Sequence, residues 1–80
     1  MTYYVYILLC GDGSYYTGYT HDLTTRIEQH FKGKGARYIR MKKFDKIVHM
    51  ELFNSRSQAM IREKEIKRLT HKKKTELIDK

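Results

Sequence analysis

Apolar and polar positions along the chain follow two periods, and the switches between them mark the elements. Tyr3 to Cys10 is almost continuously apolar and rich in aromatic and branched residues, as a strand is. Gly11-Asp12-Gly13-Ser14 is a hairpin signal, and Tyr15 to Thr20 is the returning strand. Asp22 can cap a helix running to about Lys32, with Leu23, Ile27 and Phe31 one turn apart on its buried stripe. Gly33 and Gly35 end that helix, and Ala36 to Lys43 is a basic connection with one short helical turn. Asp45 to Phe53 alternates around Ile47, Val48, Met50 and Leu52 and reads as a third strand. Ser55, with Gln58 three residues later, makes a capping box for a helix reaching about Leu69. Thr70 caps a last helix carrying Leu77 and Ile78. The expected order is β-β-α-(short α)-β-α-α. That is an α+β fold, a small antiparallel three-stranded sheet flanked by helices, in a single domain over residues 1–80.

Composition narrows the function. The chain has one cysteine, Cys10, so no internal disulfide is possible, and it reads as a small buried residue of a reducing compartment. The longest apolar run, Val5 to Cys10, is far short of the about 20 residues that span a bilayer, and no secretory pattern is visible. A cytoplasmic location with no membrane partner is expected, and a monomer is favoured.

The net charge of +8 is unevenly spread. Up to Phe31 the only basic residue is Arg26, against Asp12, Asp22 and Glu28. From there, Lys32, Lys34, Arg37, Arg40, Lys42, Lys43 and Lys46 face Asp45 alone, and the rest of the chain remains lysine-rich. Such segregation points to a basic face meeting a polyanion, with nucleic acid the leading partner. The plainer alternatives are a solvated lysine-rich surface or a ribosome-associated protein.

Several residues carry possible chemistry. Arg26 stands alone in a neutral-to-acidic stretch, and a guanidinium fork matches phosphate oxygens. Its ordinary alternative is an exposed arginine paired with an acid. His30 lies one helical turn later, on the same face and at the edge of the apolar stripe. No other histidine has ligand spacing with it, so no zinc site is expected. Tyr6 and Tyr16 share a face only if the hairpin loop is odd or bulged, since a two-residue loop would point them to opposite sides. An odd loop or a bulge is therefore expected, with Tyr6, Leu8, Tyr16 and Gly18 together. Gly18 then becomes a point of close approach for backbone or phosphate. Glu63 borders the buried side of its helix, but Glu65 does so too, and geometry alone does not choose between them.

Val5-Tyr6-Ile7, then Tyr16-Thr17-Gly18, then Arg26, resembles the signature of the GIY-YIG nuclease superfamily, in its small stand-alone bacterial (YhbQ-like) branch. The likeness extends through Gly33-Lys34-Gly35-Ala36-Arg37-Tyr38 and Ala59 to Leu69. Tyr4 stands where the first triplet has glycine, and Thr17 where the second has isoleucine; neither change removes a reacting group. The resemblance implies a metal-dependent endonuclease that hydrolyses phosphodiesters in DNA, in a setting such as DNA repair. Tyr6, Tyr16, Arg26, His30 and Glu63 would form the catalytic set, with Glu63 holding one Mg²⁺ or Mn²⁺. Tyr16, its pKa lowered by arginine and metal, would activate water with Tyr6 in support. Gly18, Lys32, Lys34, Arg37, Arg40, Lys42 and Lys43 would meet the substrate. Without an added recognition domain, structure preference or weak sequence specificity is expected. The competing reading is a non-catalytic nucleic-acid or ribosome-binding module that keeps the fold.

Overall fold

The computed structural model describes residues 1–31 and 44–80. The expected short helical turn, and Lys32, Lys34, Arg37, Arg40, Lys42 and Lys43, lie outside the described residues. Three strands form one antiparallel sheet: β1 (Tyr3–Cys10), β2 (Tyr15–Thr20) and β3 (Phe44–Phe53), in the order β2-β1-β3. Three helices flank it: α1 (Leu23–Phe31), α2 (Arg56–Lys67) and α3 (His71–Ile78). This is the α+β architecture that the sequence pattern predicts.

The caps are built as their side chains suggest. Asp22 accepts from the Thr25 amide at 3.2 Å and from its hydroxyl at 2.8 Å, which starts α1. Ser55 Oγ accepts the Gln58 amide at 3.3 Å, and Thr70 Oγ1 accepts the Lys73 amide at 3.2 Å. Each replaces a hydrogen bond that the first helical turn cannot supply for itself.

The hairpin settles the parity question. Gly11, Asp12 and Gly13 form the loop, closed by Gly13 N–H to Cys10 O and Cys10 N–H to Ser14 O, both at 2.9 Å. Gly13 sits at φ +86°, a left-handed conformation that a side chain would strain, and Asp12 Oδ1 accepts the Ser14 amide at 3.0 Å. With an odd loop, Tyr6 pairs with Gly18 and Leu8 with Tyr16. Tyr6, Leu8, Tyr16 and Gly18 therefore share one face.

Being central, β1 is buried on both sides. Its Tyr6, Leu8 and Cys10 pack with Tyr16 and with Leu23 and Ile27 of α1. Its Val5 and Ile7 pack with Ala59 and Ile66 of α2, joined by Tyr3, Tyr15, Tyr19, Val48, Phe53, Leu77 and Ile78. Three of the tyrosines thus serve as packing residues, as strand tyrosines commonly do. The helix α3 is tied to the hairpin: Tyr15 stacks on His71 with ring centroids 4.5 Å apart, and its hydroxyl meets Thr75 Oγ1 at 2.8 Å.

The third strand departs from simple alternation. Its register with β1 shifts twice, leaving Val48 and Asp45 as extra residues. Val48 thereby joins the α2-side core, while Met50 and Leu52 are exposed. On the α2 side, Glu51 receives Arg62 bidentately, Nε at 2.9 Å and Nη2 at 3.1 Å, and meets His49 Nε2 at 2.7 Å. Burial pushes the Glu51 carboxyl up, but those hydrogen bonds outweigh it and hold the group below its ordinary range.

Candidate functional site

On the α1 side the sheet face is not purely apolar. Tyr6 is buried, and its hydroxyl lies 3.1 Å from His30 Nε2. The His30 ring stands edge-on to both phenols, with centroids 6.0 Å from Tyr6 and 5.4 Å from Tyr16. His30 reaches this position because α1 starts at the Asp22 cap and buries Leu23 and Ile27, which turns the same side of the helix toward β1. Burial, with the Arg26 charge added, pushes the His30 pKa below its ordinary 6.5, so a neutral ring is favoured at neutral pH. Its Nδ1 is buried and has no hydrogen-bond partner among the described residues.

Gly18 is what makes room for this cluster. A Cβ there would stand 2.6 Å from the Tyr6 hydroxyl, 2.8 Å from Tyr6 Cζ and 3.3 Å from Tyr16 Cε1. The close approach expected at Gly18 is therefore made by a phenol of the same chain. A side chain at this position would displace Tyr6 from His30.

Arg26 and Glu63 come to the phenols from different helices. Arg26 is exposed on α1, and no carboxylate pairs with it among the described residues. Glu63 lies on α2 between the buried Ala59 and Ile66. Its side chain is only 15% exposed, and its ion partner is Lys67 at 3.6 Å. Glu65 is 58% exposed and pairs with Arg62 at 3.3 Å. The ambiguity between the two glutamates is thus resolved by burial: Glu63 faces inward and Glu65 faces solvent. Both Arg26 and Glu63 act on the same two hydroxyls, the arginine lowering and the glutamate raising their pKa values.

The Tyr16 phenol feels opposing effects. Arg26 does pull the Tyr16 phenol down, but burial is the larger effect and Glu63 adds to it, so the pKa lies above its ordinary 10.0. Tyr6 is pushed higher still, by burial first and then by Tyr16. Both phenols are therefore protonated at neutral pH and serve as hydrogen-bond donors rather than bases in this state.

Among the described residues no three His, Cys, Asp or Glu side chains gather as a metal-ligand cluster. A lone, inward-facing carboxylate still suits a hard divalent ion that keeps most of its waters, as Mg²⁺ does, and Glu63 fits that description. Lys67 is the group such an ion would have to displace. Beside it, Tyr15, Tyr16, Thr17, Lys67 and Lys74 line a cavity of about 230 Å³. Arg56, His21, Tyr3 and Tyr19 were not singled out by sequence for chemistry, yet they line a second, larger cavity with Arg26. Their separation along the chain hides that grouping.

No helix among the described residues is long and apolar enough to cross a membrane. A family model described as the GIY-YIG catalytic domain matches residues 2–76. A UPF0213 protein of Staphylococcus aureus is 43% identical over 77 residues, covering 96% of this chain and 94% of its own. A solution NMR structure of a UPF0213 protein from Bacillus halodurans is 48% identical, with a TM-score of 0.64, over 99% of this chain and 84% of that one. A second NMR structure, of a protein from E. faecalis, is 40% identical with a TM-score of 0.68 over the same shares. The chain belongs to the GIY-YIG family, and its relatives there are UPF0213 proteins.

Proposed function

We propose that this chain is a metal-dependent endonuclease that hydrolyses phosphodiester bonds in DNA, with structure preference or weak sequence specificity. The supporting observation is the buried Tyr6–His30 pair held over Gly18 with Tyr16 on the same sheet face, flanked by Arg26 of α1 and the inward-facing Glu63 of α2. A cation and a carboxylate on separate helices, with two polar hydroxyls on the sheet, suit a phosphate and its counterion.

In this reading Arg26 binds the scissile phosphate through its guanidinium fork and stabilises the charge that builds there. The Tyr16 hydroxyl, half-buried at the cluster edge, donates to a phosphate oxygen or to the attacking water. The buried Tyr6 and the neutral His30 form a pair behind it, held over Gly18. That pair can move a proton without a free phenolate: Tyr6 passes its proton to His30 Nε2 as its oxygen receives one from water. Glu63 would hold Mg²⁺ or Mn²⁺, which when bound would neutralise phosphate charge and make water more acidic. Lys32, Lys34, Arg37, Arg40, Lys42 and Lys43 track the backbone electrostatically. The products are a phosphomonoester and a hydroxyl end.

The second reading, a non-catalytic nucleic-acid or ribosome-binding module, draws on one observation. Lys67 neutralises Glu63, as a purely structural ion pair would. Cleavage of an end-labelled panel of linear, flap, fork and single-stranded DNA separates the two, run with Mg²⁺ or Mn²⁺ and with EDTA. Arg26→Ala and Glu63→Gln are each expected to slow metal-dependent cutting by about 100-fold or more. Salt-sensitive binding without cutting would move the assignment to the binding module.

A further inference from the structure

Outside the phenol cluster lies a cavity of about 550 Å³ lined by Tyr3, Tyr19, Thr20, His21, Arg26 and Arg56, together with Met1. It lies at the end of the sheet where β1 begins, β2 finishes, and both α1 and α2 start. Arg26 of α1 and Arg56 of α2 both line it. Neither pairs with a carboxylate among the described residues, and no acidic residue lines the cavity. The nearest acid in sequence, Asp22, commits its two carboxylate oxygens to Thr25 and the start of α1.

Arg56 is also oriented. Its Nε donates to the Tyr19 hydroxyl at 3.3 Å, which leaves the two terminal nitrogens of the fork for another acceptor. The Tyr3 and His21 rings, with centroids 6.2 Å apart, supply a wall on which a sugar or base can rest. Arg26 belongs to this cavity and also acts on Tyr6, Tyr16 and His30, so the cavity adjoins the candidate cleavage site.

We infer that the Arg26–Arg56 cavity is a second phosphate-binding subsite, which holds a phosphate of the same nucleic-acid strand beside the one placed at the phenols. The inference rests on the nucleic-acid reading above but not on cleavage. Arg56 supplies a bidentate contact, Arg26 bridges the two subsites, and His21 adds a donor. The phosphate can be an internal diester or a terminal monoester, and the chemistry of the fork serves both.

The test is equilibrium binding of fluorescein-labelled single-stranded DNA in EDTA, where no metal-dependent cutting occurs, over a salt series. Wild type is compared with Arg56→Ala, Arg56→Lys, Tyr19→Phe and Lys72→Ala, the last removing one exposed charge from α3. Arg56→Ala is expected to weaken binding about tenfold and to flatten the slope of log K against log salt by roughly 0.7. Arg56→Lys keeps the charge but loses the fork, so it should fall between Arg56→Ala and wild type. Tyr19→Phe should also weaken binding, by less. A strand with a 5′-phosphate beside one with a 5′-hydroxyl names the source: equal dependence on Arg56 means an internal phosphate, and dependence only with the 5′-phosphate means an end.

Arg56→Ala binding no worse than Lys72→Ala, with an unchanged salt slope, would overturn the subsite. That result can coexist with normal cleavage, and loss of cleavage can coexist with Arg56-dependent binding, so failure here is distinct from failure of the nuclease reading.

Discussion

The two faces of the central strand use arginine in opposite ways. On the α2 side, Arg62 grips Glu51 bidentately while His49 holds the same carboxylate, so the charges are matched within the fold. On the α1 side, Arg26 has no carboxylate partner among the described residues and lies beside two hydroxyls and a neutral imidazole. The first arrangement closes a core of Val5, Ile7, Ala59 and Ile66. The second leaves an exposed cation on the helix that carries His30. A satisfied ion pair is a structural element, whereas an unmatched guanidinium has its fork available for an anion. The contrast is not absolute, because Thr17 Oγ1 on the α2 side is also buried with no hydrogen-bond partner among the described residues.

The strongest way to break the α1-side arrangement is at its floor. Gly18→Ala places a methyl 2.6 Å from the Tyr6 hydroxyl, so the phenol must leave His30. We expect a stability loss of about 1–3 kcal/mol, as overpacked cores show, and cleavage reduced further than that loss explains. Denaturant unfolding beside cleavage rates checks this; unchanged cleavage would remove the Tyr6–His30 pair from the site.

A smaller effect is expected on the other face. Arg62→Ala leaves Glu51 half-buried without its main partner, which should cost about 1–2 kcal/mol because the pair is partly solvated. Cleavage by the folded fraction should stay near wild type. The Arg62→Ala chain should also lose more stability at neutral pH than in acid below the ordinary carboxyl range, where Glu51 is protonated folded and unfolded alike. Unfolding at the two pH values reads that difference.

The smallest effect concerns His30. Its folded pKa lies below 6.5, so the unfolded chain binds more protons as pH drops through that value. The His30 contribution is therefore fully present above about pH 6.5 and declines as the solution is acidified below it. Unfolding free energy measured between pH 7 and pH 5 should fall less steeply in His30→Gln than in wild type. Equal slopes would mean that the imidazole is not buried in its neutral form.

Much of this was legible in the residues. The hairpin parity followed from requiring Tyr6 and Tyr16 on one face, and the Gly11-Asp12-Gly13 loop supplies the odd count. Ser55 and Thr70 announced their helices because capping chemistry is local in sequence. What failed to show is non-local. Helical angle puts both Glu63 and Glu65 near the apolar stripe, and only packing against β1 and β2 decides which is buried. Tyr16 was expected to be acidified by Arg26 together with a metal ion, and sequence names the neighbouring charge but not the desolvation that opposes it. The Arg62–Glu51 and Arg56–Tyr19 contacts join residues far apart in the chain, and no spacing rule pairs them. The bulges of β3 likewise leave no mark in a run of alternating residues.

The measurement that tests the central contrast most directly pairs thermal unfolding with DNA cleavage in Mg²⁺ for Arg26→Ala and Arg62→Ala. The account predicts that Arg26→Ala keeps the wild-type Tm and loses cutting by about 100-fold or more, while Arg62→Ala lowers Tm and cuts normally where it is folded. Wild-type cleavage by Arg26→Ala, at full stability, would contradict it.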